Sequence, residues 1–121
     1  MNPRESQQVF KVTTRAAWES ARATGALAAS ADDERDGFIH LSAAHQLAGT
    51  LDKHFKGKND LVILEVDAKA LGEDLRWEPS RGGDFFPHLY APLPTSAVRA
   101  AFPLDLDANG THILPQGVRK C

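Results

Sequence analysis

The chain has one cysteine, Cys121, so no internal disulfide can staple it. A reducing cytoplasm is the compartment this fits. No apolar run reaches the length of about 18 residues that a membrane-spanning helix needs. The first eight residues are polar and lack the apolar stretch of a signal peptide. Charge of either sign is not in excess: the formal net charge is −2, which provides no electrostatic footprint for nucleic acid or for an anionic membrane. Chemical signatures are also missing. There is no His-x-His or Cys-x-x-Cys spacing, so no metal site is expected. No Gly-x-Ser-x-Gly elbow marks a hydrolase, and Gly82-Gly83 completes neither nucleotide-binding glycine fingerprint.

What remains is a 121-residue chain, long enough for one real core and one domain. Val9 to Val12 reads as a first strand, and Thr13 or Thr14 offers a cap for an alanine-rich helix over 16–26. Trp18 and Ala21 share the inner face of that helix, and Gly25 suits its end. The small and charged residues 28–35 read as a loop. Leu47, Leu51 and Phe55 recur every four residues and predict a second helix over 43–55, with Ser42 at its N-cap. The third helical position then holds His45, with Gln46 one residue late, so a capping box is not expected.

Leu61 to Val66 predicts a central strand buried on both faces, with Glu65 near an open end. One helical turn and a loop are expected over 68–75, and a short extended piece at 76–78 before Pro79. Residues 80–84 read as an exposed, mobile loop. A strand follows over 85–90. Pro87 lacks a ladder donor, which predicts an edge, a strand start or a bulge there. Residues 98–104 are taken as strand, and Asn109-Gly110 as the turn of a hairpin pairing back through 111–114. The sum is a single α+β domain over residues 9–115, with flexible tails at 1–8 and 116–121.

The candidate chemistry lies on two segments of similar composition. In Asp36-Gly37-Phe38-Ile39-His40-Leu41-Ser42, a strand would put Phe38, His40 and Ser42 on one face and two aliphatics on the other. In Phe85-Phe86-Pro87-His88-Leu89-Tyr90, the shared face holds Phe86, His88 and Tyr90. Glu78, Arg81 and a glycine pair lie between. Histidine, hydroxyl, carboxylate and aromatic rings together suit a nucleotide or sugar, and can polarise a hydroxyl for transfer. Two plainer alternatives stand beside this: a non-catalytic ligand-binding module, and histidines that only satisfy backbone groups in the core.

Taken in order, Phe10-Lys11-Val12, Trp18, Gly25, Asp36 to Ser42, Gln46, Phe55, the run from Leu61 to Asp67, Trp77-Glu78 and Phe86-Pro87-His88-Leu89-Tyr90 resemble the bacterial domain-of-unknown-function family 952. The resemblance spans Val9 to Pro115. That family is similar in fold to ADP-ribosyltransferases, and its His-Leu-Ser element is similar to that of RNA 2'-phosphotransferases. The resemblance implies two N-terminal helices packed on a bent, split β-structure that grips NAD or a related nucleotide. Of the site, it matches His40 and Ser42; joined to the reading of the two segments, it makes His40, Glu78 and His88 the catalytic candidates, and Lys11, Phe38, Ser42, Arg81, Phe86 and Tyr90 the candidate ligand contacts. Ser42 and His40 would hold ribose hydroxyls, and Glu78 would be the carboxylate against the ribose. Lys11 stands where the phosphotransferases carry a first-strand histidine.

Overall fold

The structure, a computed structural model, describes residues 8–115. The expected tails lie outside the described residues, except for Gln8, which opens the first strand. Strand β1 spans Gln8–Thr14 and runs into helix α1, Arg15–Thr24. Thr14 ends one and caps the other, its hydroxyl accepting from the Ala17 N–H at 3.0 Å. Gly25 closes α1 at φ 97°, a left-handed conformation that costs glycine no Cβ clash. Trp18 is half-buried against the main core cluster.

Strand β4, Leu61–Asp67, is the interior strand expected from its apolar run. It pairs antiparallel with β1 on one side and with β8, Val98–Leu106, on the other. A bulge falls between Glu65 and Val66. Alternation along β4 divides the core in two. Val62, Leu64 and Val66 face a cluster with Val9, Ile39, Leu41 and Leu89. Leu61 and Ile63 face the other way, onto Phe10, Val12 and the helix carrying Leu47 and Leu51. That helix, α3, is Leu47–His54, preceded by a 3-10 turn over Ala44–Gln46. After the turn at 107–110, β9 (His112–Ile113) pairs back on β8 as the Asn-Gly signal predicts.

A second antiparallel sheet holds β3 (Ile39–His40), β6 (Phe85–Leu89) and β5 (Leu75–Pro79), with β6 in the middle. A two-residue ladder joins β2 (Ala26–Leu27) to β7 (Leu93–Pro94). Residues 68–74 form a short helix, α4 (Ala68–Leu71), and a 3-10 turn.

Three expectations change. Residues 28–35 are not all loop: Ala31–Asp36 is helix α2. Ser30 caps it, accepting from the Asp33 N–H, while Asp33 accepts from the Ser30 N–H. Ser42 does not cap the next helix. Ala43 takes that place, and its N–H donates to Gln46 Oε1 at 2.9 Å. Pro87 is in a middle strand, not at an edge. Leu41 N–H donates to the Pro87 carbonyl at 3.1 Å, and Pro87 has no N–H for the return bond. The β3–β6 ladder ends there, and the chain leaves β6.

It does not go far. Two bonds of 2.8 Å, Phe10 N–H to Ser42 O and Ser42 N–H to Phe10 O, pair Ser42 with β1. Residues 39–42 thus stitch one sheet to the other, and the cleft described next opens beside that seam.

Candidate functional site

The cleft encloses about 310 Å³, and its lining includes Lys11, Asp33, His40, Ser42, Lys53 and His88. β1 supplies Lys11, on the same face as Val9, with its ammonium reaching toward α2. The buried amine donates to Asp33 Oδ2 at 3.2 Å and to the His40 carbonyl at 3.2 Å. Burial pulls its pKa below the ordinary lysine value, and Asp33 offsets this only in part.

Asp33 is the hub. Its two oxygens accept from Lys11, from the Ser30 and His40 backbone N–H groups, and from the His40 ring at 2.7 Å. Burial opposes its charge, but the His40 bond, the Lys11 charge and the two backbone donors outweigh that and hold the carboxyl well below its usual range.

His40 has a carboxylate on each ring nitrogen: Asp33 on Nδ1 and Asp36 on Nε2, at 2.7 and 2.8 Å. An ionised carboxylate only accepts, so both contacts are satisfied when both nitrogens carry protons, and the two carboxylates favour the imidazolium form. The Asp33 bond raises the His40 pKa, burial opposes this, and Asp36 adds to the rise. A folded-state pKa above the unfolded value stabilises the fold below the unfolded pKa, and that stabilisation is lost as pH rises through the folded one. The His40 ring is therefore expected to titrate above 6.5 by NMR, and Asp36→Asn to lower its midpoint. A midpoint at or below 6.5 is the opposing result.

His88 stands across β3–β6 from His40, directly paired with it, the ring centroids 6.0 Å apart. Its Nδ1 lies 2.8 Å from Glu78 Oε1, and the Tyr90 hydroxyl donates to the same oxygen at 2.7 Å. The Tyr90 and His88 bonds draw the Glu78 pKa down, so the carboxylate accepts from both. Phe38 stacks on the His88 ring at 3.9 Å and leans against Tyr90 at 5.4 Å. Ser42 Oγ is 2.9 Å from Thr50 Oγ1.

Of the residues singled out from sequence, Lys11, His40, Ser42, Phe86 and His88 line this cleft. Phe38 and Tyr90 line a second cavity of about 330 Å³ with Leu27, Leu89 and Pro92. Glu78 lines neither and meets the cleft through His88. The Arg81 side chain lies outside the described part of the structure; its backbone opens a 3-10 turn at Arg81–Gly83. Gln46 ties that loop down, donating to Asp84 Oδ2 at 2.9 Å and to the Phe85 carbonyl at 2.7 Å. Sequence reasoning missed Asp33, Asp36, Thr50 and Lys53. A signal for Asp33 existed: Ser30-x-x-Asp33 is a capping-box pattern, and it places that carboxylate at the start of a helix.

Residues 12–101 match the profile of a family described as "Protein of unknown function (DUF952)", and the chain belongs to that family. It is also similar to protein CC0527 from Caulobacter crescentus, whose crystal structure shares 49% identity at a TM-score of 0.88, with 93% of this chain and 98% of that one covered. A double mutant of CC0527 in the crystal gives 48% identity and a TM-score of 0.87, over the same shares of the two chains. The solution NMR structure of CC0527 gives 48% and 0.80, covering 96% of this chain and 97% of the other. No curated protein shows significant similarity. No helix among the described residues is long and apolar enough to cross a membrane.

Proposed function

We propose that this protein is an ADP-ribosyltransferase-like enzyme acting on NAD or a related nucleotide. The observation that carries the reading is the cleft at the seam of two separate sheets, with two imidazoles on its wall. A split β-structure gripping its ligand between halves is what the family resemblance implies. At about 310 Å³ the cleft is at the small end of ligand pockets, suited to one nucleoside portion with the remainder along its mouth.

The chemistry of the lining fits such a ligand. Asp33 is occupied by Lys11 and His40, and Asp36 by Arg35 and His40. Lys53 has no ion-pair or hydrogen-bond partner among the described residues and is available for a phosphate. Ser42 and Thr50 present hydroxyls to ribose, and Phe86 and Phe55 present apolar surface to a ring. Breaking the nicotinamide glycosidic bond builds positive charge on the ribose. Glu78 would stabilise that charge only through His88, which stands between it and the cleft.

A second reading, a non-catalytic nucleotide-binding module, is favoured by one observation. Both ring nitrogens of His40 are engaged by carboxylates, so this histidine holds the wall together and has no nitrogen left for proton transfer. One experiment orders the two. Millimolar NAD or ADP-ribose is expected to raise the melting temperature under either reading, since a ligand at 100 times its Kd adds about 2.7 kcal/mol. Release of nicotinamide from NAD distinguishes the enzyme. Absence of a shift with both ligands overturns both readings.

A further inference from the structure

We infer that His88 is the general base of this cleft, taking the proton of an acceptor hydroxyl on Nε2, and that Glu78 and Tyr90 are positioning residues that hold it in the required tautomer. This rests on the transferase reading and adds the acceptor class: water or an alcohol.

The geometry separates the two imidazoles by role. Glu78 accepts from Tyr90 and cannot donate, so the 2.8 Å contact puts the proton of the neutral His88 ring on Nδ1. Nε2 then carries the lone pair. Among the described residues it has no protein partner, and His88 lines the cleft. Phe38, stacked at 3.9 Å, blocks rotation of the ring out of this pose. β6 backs it, pairing His88 with His40 on one side and Arg76 on the other. A carboxylate fixing the far nitrogen of an imidazole whose near nitrogen meets the reactant is the arrangement general bases require. His40, 6.0 Å away, is the contrast: each of its nitrogens already gives a proton to a carboxylate.

The groups facing His88 are therefore Glu78, Tyr90, Phe38 and the His40 imidazolium, with Arg76 over the Tyr90 ring at 4.9 Å. In the step itself, the acceptor O–H bond breaks and its proton goes to Nε2. The acceptor oxygen bonds to the ribose C1'. The glycosidic C–N bond breaks, and its electron pair stays on the nicotinamide nitrogen, which becomes neutral. His88 ends as imidazolium and returns its proton to water.

Diethyl pyrocarbonate tests the assignment without NAD, because it acylates an imidazole nitrogen only through a free lone pair. The His88 side chain is 7% exposed and that of His40 is 37% exposed, so exposure alone predicts that His40 reacts first. The base assignment predicts the reverse: peptide mass spectrometry finds His88 modified faster than His40, on the order of tenfold or more, at neutral pH. Glu78→Gln and Tyr90→Phe, each checked for an unchanged melting curve, are expected to slow modification of His88 while leaving the rate at His45 unaffected. Faster reaction at His40, or a rate at His88 that ignores both variants, overturns the proposal. Saturation with NAD is expected to protect His88. Modification of His88 that NAD fails to block overturns the nucleotide reading while upholding the free Nε2.

Discussion

Asp33→Ala is expected to destabilise the fold by about 3–5 kcal/mol, the range for removing one partner of a buried charge pair. Asp33 is 2% exposed and serves four donors. Without it the Lys11 ammonium is buried with only the His40 carbonyl as acceptor. The His40 ring and backbone N–H groups and the Ser30 N–H lose their acceptor as well. Chemical denaturation monitored by tryptophan fluorescence measures the loss. The double variant Lys11→Met/Asp33→Leu, which removes both charges, is expected to recover a substantial part of it, because an apolar pair of similar volume often replaces a buried ion pair without net cost. A single-variant loss below about 1 kcal/mol would show that the carboxylate is not the hub its bonds indicate. Acid should act in the same direction. The Asp33 pKa is depressed on folding, so its stabilisation is present above its ordinary value of 3.8 and is lost as pH falls toward the folded one.

Phe10→Ala is expected to cost about 3–5 kcal/mol, as for other large aromatic truncations in a core, and Phe10→Leu clearly less, because leucine refills part of the space. The ring is 1% exposed and packs among Val12, Leu47, Leu51 and Ile63. Its backbone carries both bonds of the Ser42 bridge. The cavity therefore opens directly beneath the seam, and amide exchange at Ser42 is expected to accelerate along with the fall in global stability. Equal effects from Ala and Leu would argue that packing at this position is loose.

Elements with a strong apolar period were legible. β4 is a near-continuous run buried on both faces, α3 repeats Leu47 and Leu51 on one face, and the Asn-Gly turn returns the chain onto β8. Helix α2 was not legible, for a physical reason. Its only buried residue is a carboxylate, so it has no apolar stripe for a period to reveal, and charge holds it in place. The position of Pro87 was hidden similarly. A missing donor reads as an edge, yet here it is absorbed where a two-residue strand turns away. The two histidine segments were visible, and so was their shared composition. That His40 would be held between Asp33 and Asp36, leaving His88 the ring with an open nitrogen, depended on α2. Sequence reading passed over α2 as a loop.

The crossing at residues 39–42 has a consequence for how the molecule comes apart. Within four residues the backbone changes allegiance, from β6 through Ile39 and His40 to β1 through Ser42. Neither leaf can melt without taking the shared thread from the other, so the two behave as one cooperative unit. The protection of the Phe10 and Ser42 amides against solvent exchange then reports the free energy of the whole domain, and breathing confined to one wall of the cleft leaves it unchanged.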